Sequence, residues 1–289
     1  MTMKSAISLF TFFMIFPFVL QAQITKPSLS PRTVVEQQIG LASVKLDYGR
    51  PNKQGRKIFG TLIPYGKVWR TGANASTKIT FDREVRLADN AVPAGTYGLY
   101  SIPTATEWTI ILHKNSELWG AGGYQEENDF LRFTVPTITL TDTLETLAIQ
   151  MENFHANGGD LVIAWENTKV TIPVFVDSDA AIFAEIEDKI LKADGDIKAP
   201  TYFDAAQFYY FKEKDLALAQ EWFDKAIALR PNAFWYVYYR AELAYHLKEY
   251  GVAKKYATQS LEMARKSTSS DFGYIAKNEL LLQQIATAN

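Results

Sequence analysis

Ser43-Val44-Lys45-Leu46-Asp47-Tyr48-Gly49-Arg50-Pro51 is the stretch that decides the fold of the first half of this chain. Val44, Leu46 and Tyr48 alternate with Lys45 and Asp47, which is the period of a strand with one buried face. Gly49 and Pro51 then break the strand, with an arginine held between them. The same alternation recurs outward from this point. Ile79 and Phe81 alternate with Lys78, Thr80 and Asp82; Leu131, Phe133 and Val135 with Arg132 and Thr134; Leu147, Ile149 and Met151 with Gln150 and Glu152. Ala88-Asp89-Asn90, Pro93-Ala94-Gly95, Asn157-Gly158-Gly159 and Glu166-Asn167-Thr168 supply turns between them. Short strands with frequent turns predict an N-terminal antiparallel β-sandwich or jelly roll over residues 23–176. Residues 96–102, 108–113 and 161–165 are apolar on both faces and are expected to be central strands.

After Asp177 the apolar period becomes that of a helix. Asp177, Ser178 or Asp179 can cap a helix that presents Ile182, Ile186 and Ile190 on one face, and this reads as a linking helix within residues 177–199. Residues 200–289 read as tetratricopeptide-like α-helical hairpins. Phe203, Ala206, Gln207, Tyr210, Ala219, Phe223, Ala226 and Pro231 fall at the offsets of that repeat, whose period is about 34 residues. Ala241, Leu247, Tyr250 and Ala253 mark a more degenerate second unit. Small residues let paired helices approach, and large aromatics fill the gaps between pairs. The run at residues 234–239 is too continuously apolar for one helix face, so its surplus is expected to meet the β half or a partner. The fold class expected for the whole chain is therefore α+β, as two domains.

Residues 1–22 are read as a signal peptide rather than as fold. Lys4 precedes an apolar run broken by Ser8, Thr11 and Pro17, and Ala22 sits at a cleavage edge. The run is too short, and Pro17 too disruptive, for a membrane-spanning helix. The expected product is periplasmic or extracellular. With no cysteine in 289 residues there are no disulfides, no thiolate chemistry and no lipid-bearing cysteine after the leader. A formal net charge of -2 argues against a nucleic-acid binder.

The candidate site lies between Tyr48 and Asn74. Gly55-Arg56-Lys57-Ile58-Phe59-Gly60 and Pro64-Tyr65-Gly66-Lys67-Val68-Trp69-Arg70-Thr71-Gly72-Ala73-Asn74 set arginines and aromatics into turns, where a rigid scaffold presents binding groups. Arginine offers a planar donor fork for carboxylate, phosphate or sulfate. Trp and Tyr add flat apolar faces with a polar tip. Arg50, Arg56, Tyr65, Trp69, Arg70, Asn74 and Trp119 are the candidate residues for a small anionic or sugar-like ligand. The competing reading pairs these arginines with Asp47, Asp82 or Glu84 and uses the aromatics to plug the sandwich.

No catalytic residue is assigned. His113, His155 and His246 lack metal-ligand spacing, and no Gly-x-Ser-x-Gly elbow occurs. Gly120-Ala121-Gly122-Gly123 lacks the Lys-Ser/Thr of a phosphate loop, and no cofactor or metal motif is found. Glu126, Glu127 and Asp129 cluster in one loop, and two of them could flank a glycosidic bond. Three readings remain open. The first is a binding protein with a helical surface for a protein partner, the second a hydrolase or lyase on a glycan or other anionic substrate, and the third a structural envelope protein.

Ser30-Pro31-Arg32, Tyr48-Gly49-Arg50-Pro51, the two glycine-flanked blocks quoted above, Pro93-Ala94-Gly95-Thr96-Tyr97 and Trp119-Gly120 together carry a resemblance. Over residues 30–174 the chain resembles a secreted Bacteroidetes-type family, the domain of unknown function numbered twenty-nine eleven. The resemblance implies a secreted β-rich domain, sometimes followed by tetratricopeptide-like helices. It implies no activity, so no catalytic role is transferred.

Overall fold

The structure is a computed structural model and describes residues 26–288. The expected signal peptide at residues 1–22 lies outside the described residues. The chain divides into two compact units, with the boundary between Val176 and Asp177.

The first unit contains strands β1 (Arg32–Ile39), β2 (Ala42–Gly49), β3 (Ala73–Phe81), β4 (Val85–Leu87) and β5 (Asn90–Val92). It continues with β6 (Gly95–Pro103), β7 (Glu107–His113), β8 (Asp129–His155) and β9 (Gly158–Phe175). They pair antiparallel in the order β1-β2-β3-β6-β7-β8-β9-β4-β5. Together with the helices that follow, this sheet gives the α+β layout expected from the change of period.

One strand turns the sheet into two layers. β8 pairs with β7 as far as Pro136, and from Thr137 onward it pairs with β9. Pro136 cannot donate to a ladder, so it suits the point where one partner gives way to the next. Register shifts after Thr139, Leu144 and Glu152 add bulges, and bulges bend a strand. Residues 131–135 and 147–151, which alternate like two separate strands, are therefore parts of one. The doubled sheet shares a core: Leu46, Ile79, Leu99 and Ile110 from one layer join Leu147, Ile149, Ile163 and Ile172 from the other.

β6 and β7 are central, as their two-sided apolar pattern requires. Residues 114–128 fold back across part of their outer face. The Tyr124 ring lies 5.3 Å from Tyr100 and 5.3 Å from His113. Ser76 N–H donates to the Leu118 carbonyl at 3.0 Å, which ties the same segment to β3.

The second unit is helical: α1 (Ser178–Ile186), continued by a π turn over Glu187–Leu191, then α2 (Ala199–Phe211), α3 (Leu216–Leu229), α4 (Phe234–His246), α5 (Tyr250–Arg265) and α6 (Tyr274–Ala288). Asp177 caps α1 by accepting from Ala180 N–H at 3.1 Å, and Asp215 caps α3 through Leu218 N–H at 2.9 Å. Helix α1 packs on α2, with the Phe183 and Phe208 rings 5.0 Å apart. Ala206, Ala219, Phe223, Ala226 and Ala253 are wholly buried. Small side chains at these positions allow close helix approach.

The aromatic run at residues 234–239 corrects the expectation that its surplus must leave the helical unit. Tyr236 stacks on Phe203 of α2 at 4.2 Å, and Tyr238 meets Tyr274 of α6 at 5.2 Å. Arg230 lies over the Trp235 ring at 4.9 Å. Helix α4 is flanked on several sides within its own unit, so an aromatic band running round it finds partners. Among the described residues, no helix is long and apolar enough to cross a membrane.

Candidate functional site

The candidate site is built on the turns that follow β2 and precede β3. Gly49 closes β2 where the β2–β3 register shifts, and a Cβ there would come within 2.2 Å of the Ala73 carbonyl oxygen. Only glycine permits that approach. The turn after Pro51 is held from the other layer: Lys53 N–H donates to the Glu145 carbonyl at 2.6 Å, and the Glu166 carboxylate accepts from Ile58 N–H at 3.2 Å. Further along, Trp69 exchanges backbone hydrogen bonds with Ser101 at 2.7 and 2.9 Å, which pins the approach to Arg70 onto β6.

The segment between Arg70 and Asn74 is conformationally unusual. Thr71 has φ of +50° and Asn74 of +67°. A β-branched residue in that region is a true outlier and persists only where its surroundings over-determine it. Here the Thr71 hydroxyl lies 2.9 Å from the Ser101 hydroxyl, and the Thr71 carbonyl accepts from Thr77 Oγ1 at 2.7 Å. Those bonds hold the twist that turns the chain from Arg70 into β3.

The result is a cleft of about 340 Å³, lined by Arg56, Arg70, Trp69, Asn74 and Trp165 with small neighbours including Ser30 and Ala73. Among the described residues, two guanidinium groups line it and no carboxylate does. Arg56 is partly committed, since its Nε and Nη2 donate to the Lys53 and Asn52 carbonyls at 2.9 and 2.6 Å. Arg70 differs. Its Nε is buried and makes no hydrogen bond, and among the described residues no ion pair neutralises the group. Leaving such a donor unsatisfied costs about 1–3 kcal/mol. Its charge reaches the Tyr100 phenol, lowering it against the larger upward push of burial.

Of the seven residues expected from sequence, four meet in this cleft: Arg56, Trp69, Arg70 and Asn74. Trp69 is largely core. It is 8% exposed and packs with Phe59, Trp108 and Trp165 at ring distances of 6.0, 5.9 and 6.2 Å. For this residue the plug reading holds. Arg50 turns away from the lining and donates Nε–H to the Leu147 carbonyl at 2.8 Å. Tyr65 also lies outside the lining, half-exposed against Gly60. Trp119 lines a neighbouring cleft of about 350 Å³ with Arg32, Asp47, Asn74, Ser76 and Lys78. Trp165 was missed as a site residue. Its two-sided apolar neighbourhood marks a central strand and carries no sign that its ring reaches a cleft.

The ion pairs weighed as the alternative exist, but they use other arginines. Arg32 pairs with Asp47 at 2.5 Å and Arg83 lies 3.9 Å from Asp82. The hydrogen bond from Arg32 holds the Asp47 carboxyl below the usual carboxylate range.

Three polar groups in or beside the loop of residues 114–128 have partners of their own, His113, Glu126 and Asp129. His113 is buried, its Nδ1 accepting from Asn115 N–H at 3.1 Å while Nε2–H faces the Gln125 carbonyl at 3.2 Å. Asp129 and Glu126 both pair with Arg132, at 2.8 and 3.2 Å. Burial, and then the Asp129 carboxylate beside it, push the Tyr124 phenol up to about 12.

Comparison with known proteins adds one relationship. The model of the family described as Protein of unknown function (DUF2911) matches residues 30–174, which is half of the chain. No curated protein matches the chain.

Proposed function

The chain belongs to the DUF2911 family, and from that premise we propose that its β unit is a binding module for a small anionic ligand, held in the cleft of Arg56 and Arg70. The observation that carries this reading is the Arg70 guanidinium, which among the described residues has no ion-pair partner and lies where two cations and no carboxylate line the wall. A carboxylate, sulfate or phosphate on the ligand would supply the missing acceptor. Binding is favoured over turnover because His113, Glu126 and Asp129 already have partners.

We read the helical unit as a short tetratricopeptide-like array offering a contact surface to a protein partner. The fully buried Ala206, Ala219 and Ala253 at repeat offsets support that reading. The basic and apolar character of residues 1–22 motivates export, to a periplasm or beyond the cell. Mass spectrometry of the protein from its native host should find an N-terminus near Gln23; an intact Met1 would overturn the assignment.

The ligand proposal is tested by calorimetric titration of the mature chain with sulfate and with glucuronate. Charged hydrogen bonds are worth about 1.5–3 kcal/mol, so Arg70→Met should weaken binding roughly ten- to a hundred-fold. Equal affinity in wild type and variant, or no binding to either anion, would remove the proposal.

A further inference from the structure

The two clefts beside Asn74 differ in chemistry but share a wall. Ala73 and Asn74 line both. The Trp119 segment is fastened along that wall: Gly120 N–H donates to the Asn74 carbonyl at 3.2 Å, and Ala75 forms a β-bridge with Trp119. Arg70 closes the gap from the other side. Its Nη1 would lie 3.5 Å from a Cβ placed on Gly120, the residue after Trp119. The charged end of the first cleft therefore lies against the residue that follows Trp119, whose side chain lines the second.

Trp119 is a built platform. It is 76% exposed, and among the described residues its ring has no aromatic or hydrogen-bonding partner. Its backbone is nonetheless fixed on both sides. The Leu118 carbonyl accepts from Ser76 N–H at 3.0 Å, and the Gly120 carbonyl accepts from the Tyr100 hydroxyl at 3.1 Å. A flat, uncovered indole on a fixed backbone presents a large face with only two side-chain torsions to order when something stacks on it.

The cleft around Trp119 is lined by Arg32, Lys78 and one carboxylate, Asp47. Asp47 is paired with Arg32, and Lys78 with Glu117 at 2.6 Å. Asp47 keeps lone pairs for further donors; the Asn74 amide donates to the Ser30 carbonyl at 3.2 Å and the Ser76 hydroxyl to the Ser116 carbonyl at 3.3 Å, and each oxygen keeps acceptor capacity. This set suits a ring with apolar C–H faces and several hydroxyls. Both cations of this cleft are already paired, Arg32 with Asp47 and Lys78 with Glu117, so it is poorly placed to hold a second anion. The Arg56 and Arg70 cleft has the opposite bias.

Resting on the anion-binding reading above, we propose that these clefts are two subsites of one groove for an acidic oligosaccharide. A carboxylate or sulfate on one sugar ring engages Arg70 and Arg56, and the adjoining ring stacks on Trp119. The ligand class is thus a glycan of at least two rings with charge on one of them.

The experiment is a glycan array probed with the mature full-length chain. The array carries acidic and neutral glycans of increasing length, together with oligoglutamate. The best acidic hit, its matching acidic monosaccharide and inorganic sulfate are then titrated. Acidic glycans of two or more rings should be retained, binding about tenfold or more tighter than the monosaccharide. Trp119→Ala should erase that gain while leaving sulfate affinity and thermal stability unchanged, because the side chain is exposed. The two-subsite inference is overturned if sulfate binds but the longer acidic glycan gains nothing. A silent Trp119→Ala, or a preference for neutral glycans or oligoglutamate, overturns it too. Failure of sulfate and every acidic probe to bind would instead sink the arginine-cleft reading beneath it.

Discussion

At the scale of single residues, the cost of Arg70 is informative. Its buried Nε lacks an acceptor, so the free protein carries a penalty that a ligand would relieve. Arg70→Met should therefore raise thermal stability slightly, by up to about 1 kcal/mol, or roughly 2–4 °C for a unit of this size. Sulfate should stabilise the wild type and not the variant. A variant that melts far below wild type would show that Arg70 supports the fold instead. Glu242 on α4 offers a second test, through pH. Burial pushes its carboxyl above the usual range, against a hydrogen bond from Tyr238 and the charge of Lys277, with Tyr210, Tyr239 and Tyr274 nearby. The folded state holds this proton more tightly than the unfolded chain. Stability from this group is greatest in acid and falls as pH rises through the raised value. Glu242→Gln keeps an acceptor for Tyr238 and removes the decline. The two proteins should melt alike in acid, with the variant higher at neutral pH; melting curves across pH check this.

At the scale of elements, the end of β2 controls the cleft. Gly49→Ala would drive a methyl into the Ala73 backbone at 2.2 Å, and both chains there are held by the sheet. Overpacking of this kind costs about 1–3 kcal/mol, so denaturant melts should show that loss together with weaker anion binding. Val44, Leu46 and Tyr48 made β2 legible in the sequence, because one buried face imposes a period of two. The hairpin of β4 and β5 was legible as a turn at Ala88-Asp89-Asn90, and Ala88 and Asp89 indeed have φ of +44° and +71°. That β4 would pair with β9 was not legible, since local pattern carries no information on distant partners. β8 was misread as separate strands because bulges interrupt alternation much as turns do. At the site, Arg56, Trp69, Arg70 and Asn74 announce themselves by residue type in a turn. The diversion of Arg50 to the Leu147 carbonyl depends on a strand from the other layer, and nothing near Arg50 in sequence indicates it.

At the scale of the whole molecule, each unit has its own core. The β core runs from Ile39 to Val176, and the helical cores run from Ile186 to Ile285. A chain ending at Val176 should fold cooperatively with a β-type circular dichroism spectrum. Calorimetry of the full chain should resolve two transitions, one of which matches the shortened chain. A single transition, or an insoluble β unit, would mean that the two fold as one. β8 also sets how the β unit breathes. Because one backbone runs through both layers past Pro136, neither layer can open without disturbing the other. Amide hydrogens on either side of Pro136 should therefore exchange with solvent in a common, rare opening, while those in the turns between β2 and β3 exchange through local fraying. A ligand would then slow exchange in the turns alone, entering a cleft whose walls were set before it arrived.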